Sequence, residues 1–172
     1  DWSSDVCSSD LGPIPSSLRL LESLTLIRID FNNFTCPIPT TIGYLTNLVY
    51  FNPSVNKLNG SIPSSMGLLS NTLKELYLNN NCLSGSIPLS LGNLTALHYF
   101  DFQKNHLTGT LPDWVWNTEA LLGFDVHINS LTGTIPSSFN NITNILVIYL
   151  AYNSFSGTIP ITFSSLTSIT II

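Results

Sequence analysis

LKELYLNNNCLSGSIP, residues Leu73 to Pro88, is the stretch that decides the fold. Leu76 and Leu78 alternate with Glu75, Tyr77 and Asn79, the period of a short strand with one buried face. Asn81 follows at an inward position, where its amide can bond backbone groups of a neighbouring coil as the chain leaves the strand. Gly85 allows backbone geometry that other residues resist, and Pro88 fixes an extended segment on the return side.

Outward from this stretch the pattern repeats. Prolines preceded by Ile or Leu stand at Pro15, Pro39, Pro63, Pro88, Pro112, Pro136 and Pro160, at spacings of 24, 24, 25, 24, 24 and 24 residues. Seven residues before each proline from Pro39 onward lies an asparagine: Asn32, Asn56, Asn81, Asn105, Asn129 and Asn153. Three residues before the proline lies Gly60, Gly85, Gly109, Gly133 or Gly157, with Cys36 replacing glycine in its repeat. Apolar residues keep step, as in Leu18, Leu21, Leu24, Ile27 and Ile29. Such a period is the signature of a solenoid. One unit cannot bury enough apolar surface to hold itself, so stability is a near-neighbour sum along a column of coils.

The unit LxxLxxLxLxxNxLxGxIPxx resembles the plant-type leucine-rich repeat, marked by its GxIP segment, and the resemblance covers Gly12 to Ile172. It implies an α/β-type solenoid: a right-handed curved column of about six to seven coils, with a parallel sheet on the inner face and irregular or 3-10 return segments. Two departures stand out. Pro53 occupies the second apolar strand slot of its repeat and cannot donate to a sheet ladder, so a weak or interrupted strand is expected there. One residue is inserted near Ser70–Asn71–Thr72, in a return loop that tolerates it. Residues 1–11, DWSSDVCSSDL, fit neither the repeat nor a signal peptide and read as a translated sequencing adapter rather than native chain. Residues 12–172 are expected to be a fragment of the solenoid without the cysteine-bearing caps that the resemblance implies.

Bulk properties exclude several classes. Ten acidic residues face five basic ones, which are spread singly, so no basic patch invites nucleic acid. No apolar run approaches the roughly 20 residues of a membrane helix, and Ile145 to Leu150 is only strand-length. Cys36 and Cys82 lie two repeats apart, roughly 10 Å and too far for a mutual disulfide, and read as two small buried or half-buried thiols. Sequons at Asn33, Asn59, Asn93 and Asn141 point to glycosylation and secretion, whereas Asn52 is excluded by Pro53. Asn93 and Asn141 fall five residues after the repeat proline, on the return side.

The solvent face of the strands is the usual binding surface of a solenoid. Just before the first apolar strand residue stand Leu26, Tyr50, Glu75, Tyr99, Gly123 and Val147. Between the two apolar residues stand Arg28, Asn52, Tyr77, Asp101, Asp125 and Tyr149. Two residues further come Asp30, Ser54, Asn79, Gln103, His127 and Ala151, and then Phe31, Val55, Asn80, Lys104, Ile128 and Tyr152. The candidate partner-binding set is Tyr50, Glu75, Tyr77, Asn79, Tyr99, Asp101, Gln103, Asp125, His127, Tyr149 and Tyr152. Tyrosine gives large contact area at low entropic cost. Asp101 and Asp125, roughly 5 Å apart on adjacent strands, suit a cationic group of a partner. A catalytic carboxylate pair would need a cleft that an open sheet lacks. Trp114, in PDWVWN, reads as packing on the return segment. No catalytic, metal-binding or cofactor-binding motif is present.

The resemblance implies the ectodomain of a receptor-like kinase or receptor-like protein in signalling or defence. Its partners would be a peptide, protein or oligosaccharide ligand and a co-receptor, outside the plasma membrane or in the cell wall, with a single membrane span elsewhere in the full-length chain. The alternative within one architecture is a secreted protein such as a polygalacturonase inhibitor or an ice-recrystallisation inhibitor. The hydroxyl column Ser61, Ser86, Thr110, Thr134 and Thr158, on the return side just before the Ile-Pro or Leu-Pro pair, would suit the last of these.

Overall fold

The computed structural model describes residues 11–136, 142, 144–161 and 163. The expectations for residues 1–10 and for Asn141 lie outside them. The alternating strand motifs form the expected column. Strands β1 (Leu26–Arg28), β2 (Tyr50–Asn52), β3 (Glu75–Tyr77), β5 (Tyr99–Asp101), β7 (Gly123–Asp125) and β9 (Val147–Tyr149) make one parallel six-stranded sheet in chain order. Each is three residues long, with the central side chain buried, because only Ile27, Phe51, Leu76, Phe100, Phe124 and Ile148 face inward.

The repeat proline does what its fixed φ allows. Pro15, Pro39, Pro63, Pro88 and Pro112 each sit immediately before a 3-10 turn, spanning Ser16–Leu20, Thr40–Tyr44, Ser64–Leu68, Leu89–Asn93 and Asp113–Asn117. Between turns and sheet lies one continuous apolar stack, with Leu45, Leu48, Leu69, Leu73, Leu94, Leu97 and Leu121 essentially inaccessible to solvent. Its broadest layer is aromatic: Phe100 stacks on Phe124 at 5.1 Å between ring centroids and takes the edge of Trp114 at 5.8 Å.

The asparagine column ties each coil to the one before it. Asn56 Oδ1 accepts from Phe34 N, Asn81 Oδ1 from Leu58 N, Asn105 Oδ1 from Leu83 N, Asn129 Oδ1 from Leu107 N and Asn153 Oδ1 from Leu131 N, at 2.9–3.0 Å. Each of these amides also donates back to a strand carbonyl of the preceding coil, Ile29, Pro53, Leu78, Phe102 and Val126 in turn. Asn32, first in the column, is exposed and among the described residues donates to carbonyls of its own turn alone, Ile29 and Asp30.

A second set of pairings runs beside the main sheet. β4 (Ser84–Gly85) pairs in parallel with β6 (His106–Leu107), and β8 (Thr132–Thr134) with β10 (Ser154–Ser156). Isolated bridges join Pro37 to Asn59, Ser61 to Ser84 and Thr110 to Thr132. Gly85 at φ 76° is one of six glycines, Gly12 among them, that make this turn left-handed, and Cys36 takes the same region at φ 67°.

Pro53 interrupts the ladder as expected. β2 and β3 register at two residue pairs where the other neighbours in the six-stranded sheet register at three, and pairing resumes at Val55 N to Asn79 O. Asn71, in the middle of the stretch that holds the inserted residue, is exposed beyond the turn that ends at Leu68. The cysteine expectation needs correction. Cys36 is disulfide-bonded, with Cys82 the free cysteine among the described residues, and Cys82 is exposed rather than buried. Spacing between Cys36 and Cys82 excludes only their mutual pairing.

Candidate functional site

The strand register brings the candidate residues onto one face. Tyr50, Glu75, Tyr99, Gly123 and Val147 line up as one row. Tyr77, Asp101, Asp125 and Tyr149 form the next. Tyr99 and Tyr152 are exposed, while Tyr50, Glu75, Tyr77, Asn79, Asp101, Gln103, Asp125, His127 and Tyr149 are half-buried. Tyr152 stands at the rim, in the column whose six members all have φ between 52° and 55° without a glycine among them.

Two positions read as exposed are not. Asn52 and Ser54 are buried, because the Asn52 amide donates to Tyr50 Oη at 3.1 Å and its carbonyl oxygen accepts from Ser54 N at 3.0 Å. The Tyr50 ring meets Tyr77 at 5.6 Å, and Tyr77 Oη donates to Glu75 Oε2 at 2.9 Å. The neighbouring strands thus share an organised aromatic and carboxylate surface. Burial, reinforced by Glu75, pushes the Tyr77 hydroxyl well above its ordinary range, so it stays a donor at any physiological pH.

The aspartates repeat one device. Asp101 Oδ1 accepts from Gln103 N at 3.1 Å and Asp125 Oδ1 from His127 N at 3.0 Å. The side chains then add to it: Gln103 Nε2 donates to Asp101 Oδ2 at 3.2 Å, and His127 Nδ1 lies 2.6 Å from Asp125 Oδ1. The His127 ring in turn meets Tyr149 edge-on at 5.9 Å. On this face Asp30, Glu75, Asp101 and Asp125 outnumber Arg28 and Lys104, and Arg28 is itself engaged with Asp30 at 3.3 Å. The surface is an acidic strip framed by tyrosines.

Burial pushes the Asp101 carboxyl up to about 6; the two Gln103 hydrogen bonds oppose the rise, Asp125 adds to it and His127 opposes it. A carboxyl whose folded value exceeds its unfolded value of about 4 holds its proton better when folded. Its destabilising effect is therefore absent below about pH 4, grows between about 4 and 6, and is constant above. Asp101→Asn keeps the acceptor for Gln103 N, and is expected to raise stability by about 2 kcal/mol at pH 7.5 and by nothing measurable at pH 4. Thermal melts at both pH values check this, and an equal gain at both would refute it.

Gly123 is a site residue the sequence did not single out. A Cβ there would lie 2.9 Å from Tyr99 Cδ1, so its absence lets the tyrosine ring lie over β7. Its signal was being the only glycine in a strand row. Asn33 is half-buried, whereas Asn59 and Asn93 are exposed. Among the described residues, no group of His, Cys, Asp and Glu is placed to hold a metal ion, and no helix is long and apolar enough to cross a membrane.

The Leucine Rich Repeat family model matches residues 72–94, 96–118 and 144–166. No curated protein matches the chain in sequence. Among solved structures, the chain is similar to the plant peptide hormone receptor RGFR1 in complex with RGF2, with a TM-score of 0.91 and 36% identity over 93% of this chain and 26% of that one. It is similar to a Pollen Receptor Kinase 3, at 0.74 and 31% over 86% of this chain and 71% of that one. It is also similar to the Arabidopsis receptor kinase HAESA in complex with the peptide hormone IDA and the co-receptor SERK1, at 0.64 and 29% over 98% of this chain and 38% of that one. The chain therefore spans about a quarter of the first of these and a little over a third of the last.

Proposed function

Since the chain belongs to the plant-type leucine-rich repeat family, we propose that it recognises an extended peptide along its inner sheet face, as the ligand-reading segment of a cell-surface receptor. The observation that carries this reading is the in-register strip of Tyr50, Tyr77, Tyr99, Asp101, Asp125 and Tyr149 on an open sheet. Six strands span about 24 Å, the reach of about seven extended residues. The similar plant peptide hormone receptor RGFR1 is seen in complex with RGF2, and HAESA with the peptide hormone IDA and the co-receptor SERK1. This chain would act likewise outside the plasma membrane. Ligand binding would favour association with a co-receptor and so start signalling, with defence one setting for it.

Tyr99 and Tyr149 are the proposed contact anchors, Asp101 and Asp125 the groups that select a positively charged ligand residue, and Gln103 and His127 their positioning partners. The protein is incubated with a synthetic library of peptides about seven residues long, and the retained peptides are sequenced. Retained peptides are expected to carry Lys or Arg, and Tyr99→Ala or Asp101→Ala to weaken their binding by roughly 30-fold. Peptides that bind both variants as well as the parent would overturn the assignment.

One observation favours the secreted alternative. Ser61, Ser86, Thr110, Thr134 and Thr158 are all exposed, a regular hydroxyl row away from the main sheet. Inhibition of ice recrystallisation that is lost on replacing these residues, with the tyrosine face intact, would support it.

A further inference from the structure

The return side carries a hydroxyl column that keeps successive turns close. Thr41 Oγ1 donates to Ser16 O at 3.1 Å, Ser65 Oγ to Thr40 O at 2.6 Å and Ser90 Oγ to Ser64 O at 2.6 Å. These contacts press the next coil's backbone onto a glycine: an added Cβ would lie 2.1 Å from Ser65 O at Gly43 and 2.3 Å from Ser90 O at Gly67. The next residue in the column is Trp114. It supplies no hydroxyl to the preceding turn, and its own side chain covers Gly92, where an added Cβ would lie 2.7 Å from Trp114 Cβ.

The exchange leaves a pocket of about 290 Å³ lined by Gly92, Thr95, Trp114, Thr118 and Glu119. Trp114 packs on Phe100 with one edge. Its Nε1 is buried, without a hydrogen-bond partner among the described residues. A buried donor left unpaired costs stability, so this packing of Trp114 is not optimal by itself. The walls combine an indole, two hydroxyls and a carboxylate. That combination suits a sugar, whose C–H face lies on an aromatic ring while its hydroxyl and amide groups meet polar ones.

Asn93 stands exposed between the lining residues Gly92 and Thr95, at the end of its 3-10 turn, and Asn93-Leu94-Thr95 is a sequon. The geometry points to this pocket as the seat of the first sugar of a glycan on Asn93: an N-acetylhexosamine with its C–H face on Trp114 and its polar groups toward Thr95, Thr118 and Glu119. Tethering gives such a sugar a high effective concentration at the pocket, so even weak contacts fill it. The glycan would then complete the interface that Trp114 opened, and would be a structural part of the column rather than a free surface chain.

The test uses the whole chain secreted from plant cells. Release of each glycan by a peptide N-glycosidase is followed by glycopeptide mass spectrometry, and the rate at each site in the native protein is divided by that in the denatured chain. Release at Asn93 is expected to be slowed roughly 10-fold more than at exposed Asn59. Trp114→Ser restores the hydroxyl column and should fold while abolishing that difference. Trp114→Phe keeps an aromatic wall of smaller area and should keep part of it. Equal slowing at Asn93 and Asn59, an unmodified Asn93 beside a modified Asn59, or protection that survives in Trp114→Ser would each overturn the assignment. A secreted chain with no sugar at Asn33, Asn59 or Asn93 overturns it too. Peptide capture by the sheet face is read separately, and none of these results bears on it.

Discussion

Asn105→Ala is expected to lower the unfolding midpoint by roughly 6–12 °C, the equivalent of about 3 kcal/mol. The Asn105 side chain is buried, and its Oδ1 is the partner of Leu83 N at 3.0 Å. Alanine leaves that buried N–H without an acceptor. Two carbonyls that Asn105 serves keep other donors: Leu78 O retains the Asn81 amide and Phe102 O that of Asn129. The loss is therefore one orphaned donor, a small cavity and a broken tie between two coils, not the sum of every bond the amide makes. Asn32→Ala is the control, because Asn32 is exposed and among the described residues bonds its own turn alone; it should cost less than about 0.5 kcal/mol. Denaturation of both variants, followed by circular dichroism, compares them. Equal losses would mean that the asparagine acts within its own turn and not between coils.

Gly67→Ala is expected to cost about 3 kcal/mol or more and to split a single unfolding transition into two. The new Cβ would lie 2.3 Å from Ser90 O and 2.8 Å from Ser90 C, both backbone atoms held in place by the Ser90 hydroxyl bond to Ser64 O. Relief requires the turns of adjacent coils to separate, which also opens the stack of Met66, Leu69, Leu91 and Leu94 beneath them. In a nearest-neighbour column, a weakened interface divides the structure into blocks that melt separately. Gly85→Ala gives the contrast. There the added Cβ meets only Ser61 Cβ at 3.7 Å, so the cost is the left-handed backbone alone, about 1 kcal/mol. Cys36, at φ 67°, shows that the column accepts a side chain. Calorimetry that finds Gly85→Ala the more harmful change would refute the steric account.

The repeat made much of this legible beforehand. Proline and asparagine spacing set the coil length, and alternation about Leu76 and Leu78 placed Tyr77, Asp101, Asp125 and Tyr149 in the row they occupy. Other features depend on contacts between coils that no single repeat displays. The bridge from Ser84 to His106 joins positions 22 residues apart, a slant that the spacing of 24 does not announce. The left-handed backbone at Phe31, Val55, Asn80, Lys104, Ile128 and Tyr152 has no glycine to signal it. The stacked coil imposes that conformation through bonds such as Asn56 N to Asn80 O. Asn52 and Ser54 read as exposed from alternation, yet Tyr50 and Asn52 close over them. Trp114 read as packing, and it does pack, but the pocket it opens becomes visible only against Thr41, Ser65 and Ser90.

The asparagine ties also have a direction, and direction matters during synthesis. Phe34 N, Leu58 N, Leu83 N, Leu107 N and Leu131 N each wait for an amide that lies 22 or 23 residues later in the chain. A ribosome adding about 5–20 residues per second needs roughly 1–5 s to deliver it. Throughout translation the newest coil is thus a growing tip that the following coil has yet to seal, and a pause at any repeat leaves one tip open for the length of the pause.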